Sequence, residues 1–124
     1  MSLEFLTSLE NNNCLKEKLL VLENLLNQED YNEAYKELSY LLYYINMKYI
    51  KAKFDIDKQN FSIINMVDIY MYKDEYLYKS MLIVNSEYNE VDINDVTFDD
   101  IEFLADLLDS MYEHMLNNVG EFIL

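Results

Sequence analysis

Arginine, proline and tryptophan are absent from this 124-residue chain, and glycine, cysteine and histidine occur once each. Each shortage closes a class of function. With Gly120 alone, no glycine-rich loop can cradle a phosphate, so P-loop and dinucleotide motifs are excluded. A single cysteine, Cys14, permits no intrachain disulfide and suits a reducing compartment. No apolar run approaches the roughly 18–20 residues of a membrane span, and no charged-then-apolar leader opens the chain. A soluble, cytoplasmic protein with no membrane partner is expected.

The scarcest commodity is positive charge. Twenty-four acids face nine basic residues, all lysine, giving a net charge of −15. AT-rich coding accounts for the missing arginine, since fourteen asparagines and twelve tyrosines accompany it. It accounts less well for the acids, because lysine codons are AT-rich too. Residues 1–62 hold ten acids and seven lysines, net −3, and residues 63–124 hold fourteen acids and two lysines, net −12. After Lys79 there is no basic side chain, yet eleven carboxylates follow. Such a surface repels phosphates and anionic lipid and attracts cationic protein surfaces.

The length and a 52% apolar content fit one globular domain over residues 1–124. Leu3, Phe5, Leu6 and Leu9 suggest a short helix or apolar arm, and Asn11–Asn13 a break or cap. Leu15, Leu19, Leu22, Leu25 and Leu26 repeat at helical spacing. Asp30 and Glu33 have capping-box spacing and open a long helix with Leu38, Leu41, Leu42, Ile45 and Tyr49 on one face. That helix carries a second apolar face, Tyr40, Tyr43, Met47, Ile50 and Phe54, which calls for a second cover: a sheet or a second subunit.

Residues 61–85 are rich in Ile, Val and Tyr, which suit pleated, half-buried surfaces. A loop at Lys73-Asp74-Glu75 would oppose Tyr72 to Tyr76 and Tyr70 to Tyr78, with Val67, Ile69, Met71, Leu77, Met81 and Ile83 on the other face. A β-hairpin is therefore expected, with Val91 and Ile93 as a short third strand. Thr97 and Asp100 then begin a final helix that holds its spacing from Ile101 to Val119 and stops at Gly120. The expected fold is α+β: two N-terminal helices, a small antiparallel hairpin or meander, and a C-terminal acidic amphipathic helix. The alternative is an all-α bundle of four to five helices. HEPN-type helical ribonuclease domains require an arginine shortly before a histidine, and this chain has none.

On the last helix Asp99, Glu102, Asp106, Asp109 and Glu113 are spaced three, four, three and four. They share a sector of about 80° away from the apolar face. Each neighbouring pair repels by roughly 0.2–0.5 kcal/mol, so the row costs the helix about 1–2 kcal/mol. Solvated faces usually mix lysine among their acids, and this one does not. With Asp95 just ahead of it, the row is the expected partner-binding surface. Tyr40, Tyr43, Met47, Ile50 and Phe54 form a candidate dimer or partner face.

No chemistry-bearing motif competes. The Glu90–Glu102 stretch lacks the central glycine of a calcium loop, and Met111 stands where a di-iron Glu-x-x-His pair needs its glutamate. His114 is expected as a partly buried surface residue beside Phe103, Leu107 and Ser110, and Cys14 as a small buried thiol. No catalytic residue, metal or cofactor is expected. The sequence suggests a non-enzymatic acidic protein of inhibitor, immunity-protein or antitoxin type, covering a basic surface of a nuclease or other nucleic-acid-binding protein, its acids standing where phosphates would lie. A homodimeric adaptor or secretion-chaperone-like protein is the alternative.

Overall fold

Capping side chains divide the chain into its elements. The computed structural model describes residues 12–57 and 61–124; the proposed arm at 3–9 and Asn11 lie outside them. Asn12 opens the described chain, its side-chain oxygen accepting from the Cys14 N–H at 2.8 Å at the head of a 3-10 turn, Asn13–Leu15. The turn runs into α1, Lys16–Asn27, which buries Leu19, Leu22 and Leu26. Cys14 itself is exposed, against expectation.

Between α1 and α2 the Glu29 N–H donates to the Leu26 carbonyl and the Asp30 N–H to that of Leu25. This paired closure usually has glycine in the left-handed position, and here Glu29 adopts it at φ 57°. Because the Asp30 N–H is used there, only its side chain caps α2 (Tyr31–Phe54), accepting from the Glu33 N–H at 3.4 Å. Both sides of α2 are apolar, and both are covered.

The hairpin expected at 61–85 is not there. Those residues form two helices, α3 (Ile63–Lys73) and α4 (Glu75–Glu90), and among the described residues there is no strand. Local chemistry explains the correction. Ser62 and Asn65 make a reciprocal capping box that starts α3. Asp74 ends α3 through its N–H and starts α4 through its carboxylate, which accepts from the Leu77 N–H at 3.0 Å. Met66, Tyr70, Leu77, Met81 and Val84 are buried at spacings of four, seven, four and three, a helical rhythm. The alternating register would also have buried Met71 and Ile83, and both are exposed. β-Propensity measures fit to a surface, and these Ile, Val and Tyr side chains found a helical one. Val91 closes α4 and Ile93 lies in a turn, so the third strand is absent as well. The all-helical alternative is the fold.

α5, Phe98–Val119, has the expected start: Thr97 accepts from the Asp100 N–H, and Asp100 accepts from the Thr97 N–H. It packs chiefly on α2, and the two run parallel. Tyr31 meets Phe98 near their starts, and Asn118 donates to the Tyr49 hydroxyl near their ends. α1 lies along α2, while α3 packs on α4. One core cluster draws on all five helices.

Its two buried polar residues are paired: Asn46 donates to the Leu42 carbonyl at 2.9 Å and accepts from the Tyr70 hydroxyl at 2.6 Å, and the Ser80 hydroxyl donates to the Tyr76 carbonyl at 2.9 Å. The lone glycine sits where only glycine is comfortable, Gly120 at φ 69° and ψ −157°. It turns the tail back, so that Phe122 reaches the rings of Tyr49 and Tyr112 and the Leu124 carbonyl accepts from the Tyr44 hydroxyl.

Candidate functional site

The acidic row is built by the rotation of α5. Ile101, Leu104, Ala105, Leu108, Met111, Tyr112 and Met115 are buried, which turns Asp99, Glu102, Asp106 and Glu113 to water. Asp109 is half-buried and engaged with the rest of the chain, so it departs from the row. Among the described residues no cation pairs with Asp99, Glu102, Asp106 or Glu113; the lysine bridges are Lys36–Glu33, Lys51–Asp57 and Lys79–Glu75.

The loop before α5 extends the acidic surface. Asp92 organises it, accepting from the Asn94 N–H on its side chain and from the Asp95 N–H on its carbonyl. Asn32 of α2 accepts from the Val96 N–H at 3.0 Å and ties the loop to the helix pair. Asp95 is thereby held exposed beside the start of α5. At the same end, burial pushes the Glu87 carboxyl above its ordinary value, and the charges of Asp100 and Glu90 push it further. Burial, Glu87, Tyr88 and Asp100 likewise raise the Tyr35 hydroxyl, which has no hydrogen-bond partner among the described residues. Burial and neighbouring carboxylates together disfavour the ionisation of Glu87 here.

The second apolar face of α2 has a different fate. Ile50 is fully buried, and Tyr43, Met47 and Phe54 pack against the core. Phe54 meets the ring of Tyr70 on α3 and lies under the Lys73 ammonium. At Phe54 the second cover that the sequence calls for is therefore supplied by the chain's own α3. Tyr40 alone of the five stays exposed, stacked with Tyr44 under Lys18 of α1.

One constellation escapes sequence reasoning. The His114 Nε2 lies 2.9 Å and 3.1 Å from the two Asp74 carboxylate oxygens, and its ring stacks on Tyr76 at 4.5 Å. Asn118, one turn along α5, donates to Asp74 at 3.3 Å. No local signal links residues 40 positions apart, so only the fold could bring them together. The Asp74 carboxylate is occupied by the Leu77 N–H, His114 and Asn118 at once. Those contacts join α3, α4 and α5. Among the described residues there is also no grouping of three or more metal-ligating side chains, and no helix is long and apolar enough to cross a membrane.

No family model matches this chain, and neither the curated proteins nor the solved structures contain a match to it. The functional reading rests on the molecule's own surface.

Proposed function

We propose that this is a non-enzymatic acidic binding protein that covers a basic surface of a partner protein, in the manner of an inhibitor, immunity protein or antitoxin. The observation that carries the reading is the row of exposed carboxylates on α5, with Asp95 at its head and no cation paired to Asp99, Glu102, Asp106 or Glu113 among the described residues. A helix tolerates this repulsion of about 0.4–1 kcal/mol more readily if a cationic surface relieves it on binding. A nucleic-acid-processing enzyme offers such a surface, and the carboxylates would stand in for its phosphates. The single cysteine and the absence of a spanning helix among the described residues suit a cytoplasmic setting.

The test is a complex with the basic partner, captured at low salt and washed at rising salt. Release as salt rises is expected. Reversing two exposed members of the row, Glu102→Lys with Asp106→Lys, should weaken the complex by about tenfold or more while circular dichroism stays unchanged. Salt-independent binding that ignores both reversals would remove the row from the interface.

A further inference from the structure

The seam between α4 and α5 leaves large apolar side chains half in water. Tyr76 and Ile83 on α4 are 43% and 45% exposed, and Phe103 on α5 is 47% exposed. Leu107 is only partly buried beside them. The two helices are antiparallel neighbours, since Tyr76 stacks on His114 at one end and Glu87 feels the charge of Asp100 at the other. Helical spacing therefore sets Ile83 across from Leu107 and Phe103 in mid-seam. From Tyr76 to Glu87 the strip runs eleven residues, about 16 Å, or three helical turns.

Its rim carries charge of nearly one sign. On α5, Phe103 lies about 40–60° around the helix from Asp99 and Asp106. Glu87 and Glu90 stand at the far end of α4. The base on this side of α4 is Lys79, and Glu75 holds it at 3.1 Å. A half-exposed apolar strip rimmed by carboxylates is the complement of an amphipathic helix with lysine or arginine along its flanks.

We propose that the α4–α5 strip docks such a helix from the partner. Apolar side chains spaced i, i+3 or i+4, and i+7 would lie on Tyr76, Ile83, Leu107 and Phe103, and flanking cations would meet Asp99, Asp106, Glu87 and Glu90. The proposal rests on the acidic-binding reading above and adds where the apolar contact falls. Charge selects the occupant. A second copy of this chain would bring a further −15 to the same rim. Residues 1–11 contain Glu4 and Glu10 and no lysine, so they offer the strip no cationic side chain.

Two synthetic peptides of identical leucine and lysine content test it on the full chain. One carries leucine on a single helical face, and its isomer scatters leucine around the helix. By fluorescence anisotropy at low salt, the patterned peptide should bind about tenfold or more tightly than the isomer. Ile83→Gln and Phe103→Gln should each remove most of that preference, since both side chains are about half-exposed and the fold does not depend on burying them. Amide shifts on the wild-type protein should fall along α4 and the facing side of α5, a readout that holds even if a variant misfolds.

Equal binding of the two peptides, with shifts confined to the acidic row, would overturn the strip and leave the charge-only reading standing. Binding of neither peptide would overturn both. A wild-type dimer in light scattering that Phe103→Gln dissolves would give the strip to a second copy and overturn the proposal.

Discussion

The two longest helices lie parallel and nearly equal in length, yet they place charge by opposite rules. α2 keeps Glu33 in its first turn and Lys51 and Lys53 in its last, as the helix dipole favours. Lys36 pairs with Glu33 and Lys51 with Asp57. α5 has Asp99 and Asp100 in its first turn, continues with carboxylates through Glu113, and has no base in its last turn. Both helices bury continuous apolar faces, so their cores do similar work. The difference is confined to the outer surface, where α2 serves the fold and α5 works slightly against it. A surface that its own helix does not need is the better candidate for a surface that something else needs.

The largest test of this contrast concerns how the two helices stop. α2 ends on Asp55 at φ 57° and ψ 37°, a left-handed conformation that Asp tolerates. α5 ends on Gly120 in a region that L side chains rarely occupy. Gly120→Ala meets no neighbour within 4 Å, so its effect is backbone strain alone, about 1–3 kcal/mol in chemical denaturation. Part of that loss should appear as release of Phe122 from Tyr49 and Tyr112, visible in near-ultraviolet circular dichroism.

Charge reversal should give opposite signs on the two helices. Asp106→Lys turns repulsion with Glu102 into attraction and should stabilise the free protein by about 0.5–1 kcal/mol. Lys51→Glu breaks the pair with Asp57 and opposes the dipole at the end of α2, and should destabilise by about 0.5–1 kcal/mol. If both reversals shift the thermal midpoint in the same direction, the contrast fails.

The smallest effect is a dependence on pH. Glu87 has its folded-state value raised, so the native state holds a proton that the unfolded chain gives up first. Its ionisation therefore lowers stability as pH rises above the ordinary carboxylate value of 4.5. Glu87→Gln should raise the thermal midpoint slightly at neutral pH and flatten its decline between mildly acidic and neutral conditions. A steeper decline in the variant would contradict the crowding assigned to this end of the molecule.

The acidic helix was legible in the sequence because its signals are local. A capping pair, a period of 3.6 and a terminal glycine all lie within one segment. α1 and α2 are legible through their helical apolar period, and α2 also through its Asp30 cap. Residues 61–85 mislead because Ile, Val and Tyr suggest strands by composition, while the decisive Ser62–Asn65 and Asp74–Leu77 caps are short polar signals inside that stretch. The cover of α2 and the Asp74–His114 pair were out of reach for another reason. Each depends on which helix lies beside which, and no local rule specifies that. Asp109 shows the same limit in miniature, since spacing puts it in the row and its half-burial takes it partly out.

The parallel pairing of α2 and α5 also separates the molecule's charges in space. Asn12 beside Tyr112, and Lys18 over the Tyr40 and Tyr44 rings, bring the start of α1 to the middle of α2. Lys48, Lys51 and Lys53 lie in the second half of α2, whereas Glu87, Glu90, Asp92, Asp95, Asp99 and Asp100 gather about the start of α5. The start of α5 and the loop before it form a negative pole. In a partner's field the protein would feel torque before contact, within roughly the 10 Å screening length at moderate salt. It would arrive already turned, with the carboxylate end leading and the lysine end trailing.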